Sequence, residues 1–303
     1  MLNRRQFISQ SALLSGISLL PWQLKALQAV LPMAGMMTPL RNNVGIYTER
    51  GGTIGWMISK EGIVVVDTQF PDQSKNFIAE AQKMEDRPVI DLLINTHHHG
   101  DHTGGNIAFK EILGNHVAHK NAKFNQERVA KARKQEATQL YPKTVFENSW
   151  TQKVGNEIIS LRYFGPAHTN GDAVIHFENA NVVHMGDLMF NRRFPYIDKS
   201  SGASISNWIK VLGEVRKTFD KDTLFIFGHA GEGYEVTGGL DDIKAMQKYL
   251  KKLLKFGKKS IKAGISQEDL LKGLETIPGA PEWKGRGLER NISAAYQELG
   301  ERS

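Results

Sequence analysis

Short apolar runs rich in β-branched residues alternate along this chain with longer stretches whose apolar residues recur every three to four positions. Val44–Thr48 and Thr53–Ser59 flank Gly51-Gly52, which reads as a hairpin. Glu61-Gly62 turns into a third strand, Ile63–Asp67. A helix is expected over Gln73–Glu85, stopped before Pro88. Val89–Asn95 is a mostly apolar run bounded by Pro88 and a polar loop, as a buried strand would be. Helical periodicity follows at Asn106–Leu113 and Lys120–Ala137. Strands are predicted at Glu157–Phe164, Ala173–Phe177, Val182–Met185 and Leu224–Phe227, and helices at Ser204–Thr218 and Leu240–Phe256. This alternation implies an α/β architecture. Residues 30–43, with Pro32, Gly35 and Pro39, read as a linker. Residues 257–303 read as a helical C-terminal extension capping the main domain. In it Ser266-Gln267-Glu268-Asp269 opens one helix, residues 278–287 form a break and Leu288–Leu299 forms a second helix.

Composition narrows the function. The 303 residues contain no cysteine, which excludes disulfides, thiolate ligands, a cysteine nucleophile and a lipid anchor. At the N-terminus, Asn3-Arg4-Arg5-Gln6-Phe7-Ile8 resembles a twin-arginine export signal. The apolar stretch Ala12–Leu20 is too short to span a bilayer. Residues 1–29 are therefore expected to be a signal peptide read by the twin-arginine machinery. The mature protein would be periplasmic or secreted, with no stable membrane anchor. Removing Arg4, Arg5 and Lys25 from the 39 basic residues leaves 36 against 32 acidic ones, too mild an excess to argue for nucleic acid. The lysines Lys244, Lys248, Lys251, Lys252, Lys255, Lys258 and Lys259 read as the solvated face of a helix.

The candidate chemistry is concentrated in Thr96-His97-His98-His99-Gly100-Asp101-His102, directly after the run Val89–Asn95. Ligands in α/β folds gather at the C-terminal ends of strands. Imidazole and carboxylate donors at this density suit zinc or iron. Three later strand ends repeat one grammar, an apolar run, a glycine, then His or Asp: Gly165 before His168, Gly186-Asp187, and Gly228-His229.

The order His-x-His-x-Asp-His, then His, then Gly-Asp, then Gly-His resembles the metallo-β-lactamase superfamily across residues 44–256. The resemblance implies an αββα sandwich of two mixed sheets with outer helices and a metal site at one edge. It implies that His97, His99 and His168 hold one metal, that Asp101, His102 and His229 hold the other, and that Asp187 bridges them. Two divalent ions, zinc expected and iron or manganese compatible, would share a water activated to a hydroxide, with Asp101 orienting it. The substrate would be a small ester, thioester, lactone or lactam. A true β-lactamase and a non-catalytic metal sensor or scaffold are the alternatives, and a mononuclear iron enzyme would leave three donors unused. Family β-lactamases that carry Cys or Ser where this chain has Asp187 argue for the non-lactam reading. Asp67, Thr169 and Asp172 are expected to support the metal loops, and Arg192, Arg193 and Tyr196 to lie at the pocket rim. His184 reads as a core histidine or a ligand support, His98 as a polar loop residue, His119 as structural or pocket wall, and His116 and His176 as surface or sheet-face residues.

Overall fold

The computed structural model describes residues 35–87 and 89–300, so the expected signal segment and the first residues of the expected linker lie outside it. In chain order the elements are β1 (Met36–Arg41), β2 (Val44–Thr48), β3 (Ile54–Ser59), β4 (Gly62–Val66), α1 (Pro71–Met84), β5 (Ile90–Asn95), α2 (Gly100–Thr103), a 3-10 turn (Gly104–Phe109), β6 (Leu113–His119) and α3 (Lys120–Arg133). They continue as β7 (Thr144–Phe146), β8 (Ser149–Val154), β9 (Glu157–Tyr163), β10 (Ala173–Phe177), β11 (Val182–His184), β12 (Phe190–Asn191) and α4 (Ile205–Thr218). The chain closes with β13 (Leu224–Ile226), β14 (His229–Ala230), β15 (Thr237–Gly238), α5 (Leu240–Lys262), α6 (Gln267–Leu271) and α7 (Leu288–Gly300).

Two mixed sheets stack face to face. The first runs β1-β2-β3-β4-β5-β6-β7, antiparallel as far as β4 and parallel after it. The second runs β15-β13-β11-β10-β9-β8. Alternating side chains explain the layering. Val64, Val66, Leu92 and Ile94 face the second sheet and meet Ile159, Leu161 and Ile175. Their neighbours Ile63, Val65 and Leu93 face outward onto Phe77 and Ala81 of α1. On the far side, Val174, Val183 and Phe225 pack under Trp208 and Leu212 of α4, Leu250 of α5 and Ile292 of α7. The result is an αββα sandwich with a helical C-terminal cap.

Several boundaries differ from the sequence reading. Residues 36–41, inside the stretch read as linker, pair with β2 as an edge strand. Pro39 is tolerated there because an edge strand need not donate on its outer side, and the register shifts just after it. The helix expected at Asn106–Leu113 is a 3-10 turn followed by β6. That strand is held by parallel pairing on both sides, which its mixed polar sequence does not announce. Strands β7 and β8 were not expected. Helix α5 continues to Lys262, across the boundary drawn at residue 256. His116, read as a surface or sheet-face residue, lies on the sheet in β6 and is buried, with Nε2 2.7 Å from Asn95 Oδ1.

The strand ends carrying the candidate ligands meet at one edge of the sandwich. Backbone bonds tie the two sheets together there: Thr53 N donates to Gly228 O at 3.0 Å and Ala173 N to Thr96 O at 2.8 Å.

Candidate metal centre

Asp67 ends β4 in the left-handed region, at φ +63°, a strained conformation for a residue with a side chain. Its carboxylate repays the strain with three bonds. Oδ1 accepts Thr96 N at 2.8 Å, and Oδ2 accepts Thr96 Oγ1 and His102 Nδ1, both at 2.7 Å. One side chain therefore fixes the start of the metal loop and one of its imidazoles, the supporting role expected for it.

Outer partners also set the tautomers of the other histidines. His168 Nδ1 must donate to Tyr196 O, 2.6 Å away, so its Nε2 is bare. His99 Nε2 donates to Asp198 Oδ2 at 3.0 Å, so its Nδ1 is bare. Thr96 Oγ1 has given its proton to Asp67 and accepts from His97 Nδ1 at 2.9 Å, so His97 Nε2 is bare. The three bare nitrogens converge: His99 Nδ1 lies 3.0 Å from His97 Nε2 and 2.9 Å from His168 Nε2. Lone pairs cannot share that distance without a proton or a cation between them. Burial opposes the proton: it lowers the pKa of His97 well below the ordinary value, and that of His168 to about 3. The donor set thus fits a borderline divalent cation.

Asp101, His102 and His229 form a second group, and each group's donor atoms lie within 4.8 Å of one another. Asp187 stands between the two. Its Oδ2 is 3.5 Å from His168 Nε2 and 3.8 Å from His97 Nε2. Its Oδ1 is 3.0 Å from His102 Nε2 and 3.4 Å from His229 Nε2. Burial opposes its charge, but the imidazoles of His229 and His102 outweigh that and hold it ionised, well below the usual carboxylate range. Oδ1 is buried and, among the described residues, faces only the Nε2 atoms of His102 and His229, neither in good hydrogen-bond geometry, so a bound cation would supply the partner it lacks. His102 is likewise penalised by burial, yet Asp187, Asp67 and Asp101 raise its pKa well above the ordinary imidazole value. A cation there must displace that proton.

Two glycines lie against candidate donors for a steric reason. A Cβ on Gly228 would overlap Asp187 Oδ1, and one on Gly52 would overlap the His102 ring. The ligands occupy space that only glycine leaves.

Other expected residues fall into place or out of it. Thr169 donates through N and Oγ1 to Asp172, whose pKa burial raises to about 7, and this pair shapes the loop behind His168. His184 is a satisfied core histidine: Nε2 donates to Thr53 O and Nδ1 accepts Gly186 N. His119 stacks on Tyr163, with ring centroids 4.0 Å apart. Tyr196 is 37% exposed and its ring lies 5.1 Å from His99, at the open side of the site. Arg192 donates to Asp242 Oδ1 at 2.6 Å and Asn191 Oδ1 at 2.7 Å, so it braces β12 against α5. Arg193 is exposed and borders a cleft of about 690 Å³ with Ala230, Gly231 and Lys284.

Two residues escaped the sequence reading. His98, taken for a loop residue, is buried with Nε2 3.2 Å from Ser201 Oγ. Asp198 holds His99 and also approaches His98 Nε2 at 3.6 Å. The one available signal was an acid between Tyr196 and the helix start at Ser204.

Comparison with known proteins shows the family and the fold. Residues 47–229 match the profile of the metallo-beta-lactamase superfamily. A type 2 metallo-beta-lactamase of Elizabethkingia meningoseptica is 25% identical over 199 residues, covering 63% of this chain and 76% of the relative. Metallo-beta-lactamase IND-1 of Chryseobacterium indologenes is 24% identical over 200 residues, covering 63% and 80%. The crystal structure of metallo-beta-lactamase IND-7 superimposes with a TM-score of 0.60 at 20% identity, covering 72% of this chain and 99% of that one.

Proposed function

Since the chain belongs to the metallo-beta-lactamase superfamily and is a metal-dependent hydrolase, we propose that it is a two-metal enzyme acting on an ester, thioester or lactone rather than on a lactam. In this reading His97, His99 and His168 hold one ion, Asp101, His102 and His229 the other, and Asp187 spans both. Zinc is the expected metal, on the strength of the imidazole-rich donor set. The observation that carries the reading is the convergence of bare imidazole nitrogens on one side of Asp187 and a second donor group on the other.

Bound divalent ions supply Lewis acidity, lowering the pKa of water and polarising the substrate's carbonyl oxygen. The chain's own residues do the rest. Asp101 is the most open of the carboxylates, its side chain 32% exposed and its Oδ2 3.2 Å from His229 Nε2. It is placed to accept a hydrogen bond from a water and so to orient it. His229 is held flat by Phe190, with ring centroids 5.2 Å apart. Tyr196 and His99 border the open side, where a substrate would enter.

The choice of leaving group follows from Asp187. With two cations held on either side of it, the Asp187 carboxylate would neutralise part of their charge, and a departing amide nitrogen would then be stabilised less well than an alkoxide or thiolate. β-Lactam hydrolysis is the second reading, favoured by the names of the relatives. One preparation, assayed on nitrocefin, a lactone and an aryl ester, separates them. The ester or lactone should show the higher kcat/KM by a wide margin, and a win for nitrocefin would reverse the assignment. We also take the chain to be exported by the twin-arginine route, on the Arg4-Arg5 motif.

A further inference from the structure

We propose that the lysine face of α5 docks this protein on an anionic phospholipid surface. The helix carries eight lysines between Lys244 and Lys262 and no acid after Asp242. At 3.6 residues per turn all eight fall within about 120° of arc, and at 1.5 Å per residue the stripe is about 27 Å long. The opposite face is the one that packs: Ile243, Met246, Tyr249, Leu250 and Leu253 are all buried. Among the described residues no ion pair joins any of these lysines to a carboxylate. Lys252 alone finds a partner, the Gly279 carbonyl. Of the two acids at the helix start, Asp242 is engaged by Arg192 and by Gly239 N, which leaves Asp241 as the one carboxylate of this helix set against eight lysines.

A merely solvated face does not need this pattern. Surfaces stay soluble with both signs interspersed. Here five pairs at i,i+4 set lysine against lysine, an arrangement that weakens a helix. The field of such a stripe is partly offset by a surface of opposite sign.

Three features select a lipid surface over other polyanions. All eight cations are lysine, a point charge suited to a diffuse field, and none is arginine, which phosphate-specific recognition favours. No aromatic ring lies within the lysine arc, so bases have nothing to stack on. The eight charges lie along one face of a single uninterrupted helix, a linear array that a plane of headgroups can meet at once. With no apolar residue among the lysines, and no described helix long and apolar enough to cross a membrane, the contact would be peripheral and sensitive to salt.

The test is co-sedimentation of the full mature chain with vesicles of phosphatidylcholine alone, or of equal parts phosphatidylcholine and phosphatidylglycerol. Binding should require phosphatidylglycerol and vanish as ionic strength rises from about 0.05 M to about 0.5 M. Each lysine at an anionic surface changes partitioning about fivefold, so Lys248→Gln, Lys251→Gln, Lys255→Gln and Lys259→Gln together should lower it by nearly three orders of magnitude, about 600-fold. A charge-matched control replaces exposed lysines elsewhere: Lys60→Gln, Lys110→Gln, Lys143→Gln and Lys153→Gln. It should keep most of the binding. Hydrolysis of a soluble substrate should be the same in both variants, because none of these lysines belongs to the metal centre. Equal loss in the two variants would reduce the effect to net charge and overturn the docking face. So would failure to bind the anionic vesicles, or tighter binding to a DNA duplex than to vesicles at the same salt.

Discussion

Replacing Asp198 by alanine should weaken one metal site and spare the other. Asp198 belongs to neither of the two donor groups that flank Asp187, although with His98 and His99 it makes a third cluster of donor atoms. It acts through His99, whose Nε2 it receives at 3.0 Å, leaving Nδ1 to face His97 and His168. A hydrogen bond to a charged, buried group is worth about 1.5–3 kcal/mol, and every 1.4 kcal/mol is tenfold in a binding constant. Losing it, and letting the ring rotate, should reduce affinity at the three-histidine site by about 10- to 100-fold, the range found for partners that orient metal-bound histidines. The site built on Asp101, His102 and His229 should change by less than about threefold, since Asp67 and not Asp198 orients His102. Asp198 Oδ1 also receives Ser200 Oγ at 2.5 Å and Ser201 N at 3.2 Å, so alanine loosens a turn as well. Ser200→Ala is the control: it removes one turn contact, keeps His99 oriented, and should leave both affinities nearly unchanged. Zinc competition against a chromogenic chelator resolves the two sites, and thermal unfolding of the metal-free protein shows whether the fold survives. If Asp198→Ala kept the first site within about threefold, or lost both sites equally, orientation of His99 would not be its role.

Elemental analysis after metal loading should approach two ions per chain; a stoichiometry fixed at one under excess zinc would contradict the bridging role given to Asp187. Gly228→Ala should push Asp187 out of line, because the added methyl meets Oδ1, and should cost activity by about 100-fold or more while leaving the two sheets folded. Near-normal turnover in that variant would mean the site tolerates a displaced bridge. Arg4→Lys with Arg5→Lys should trap precursor in the cytoplasm, and export at the normal rate would rule out the twin-arginine route.

What the sequence made legible was whatever its pattern repeats. Ile63–Val66 and Leu92–Ile94 are apolar at every position because both faces of their strands are covered, and such runs announce themselves. Strand β6 does not, since Asn115 and His116 find their partners across the sheet in Thr144 and Asn95, and the pairing overrides the local pattern. The seven candidate donors were visible because they cluster at strand ends beside glycines. Asp198 was not, because nothing local marks it: its role depends on a loop that returns from β12 to the far side of the metal loop. Arg192 shows the converse, a residue singled out as a rim cation whose charge is spent on Asp242.

The loop between β12 and α4 supplies both Tyr196 O and Asp198, the outer partners of two histidines in one group. It is held from the C-terminal cap. Asn291, fully buried on α7, donates to Pro195 O at 2.6 Å and accepts Tyr249 OH at 2.7 Å. Glu298, farther along the same helix, accepts Ile205 N at 2.6 Å and Ser206 N at 2.9 Å, closing the start of α4 where the loop ends. Arg290 lies over the Tyr196 ring, 5.1 Å from its centroid. The superfamily match ends at residue 229, so all three of these supports come from beyond it. The seven candidate donors all lie within the matched residues 47–229, while these supports of the loop behind His99 and His168 come from α7. Changes in that cap can therefore alter metal affinity and substrate access on one side of Asp187 without touching a single ligand.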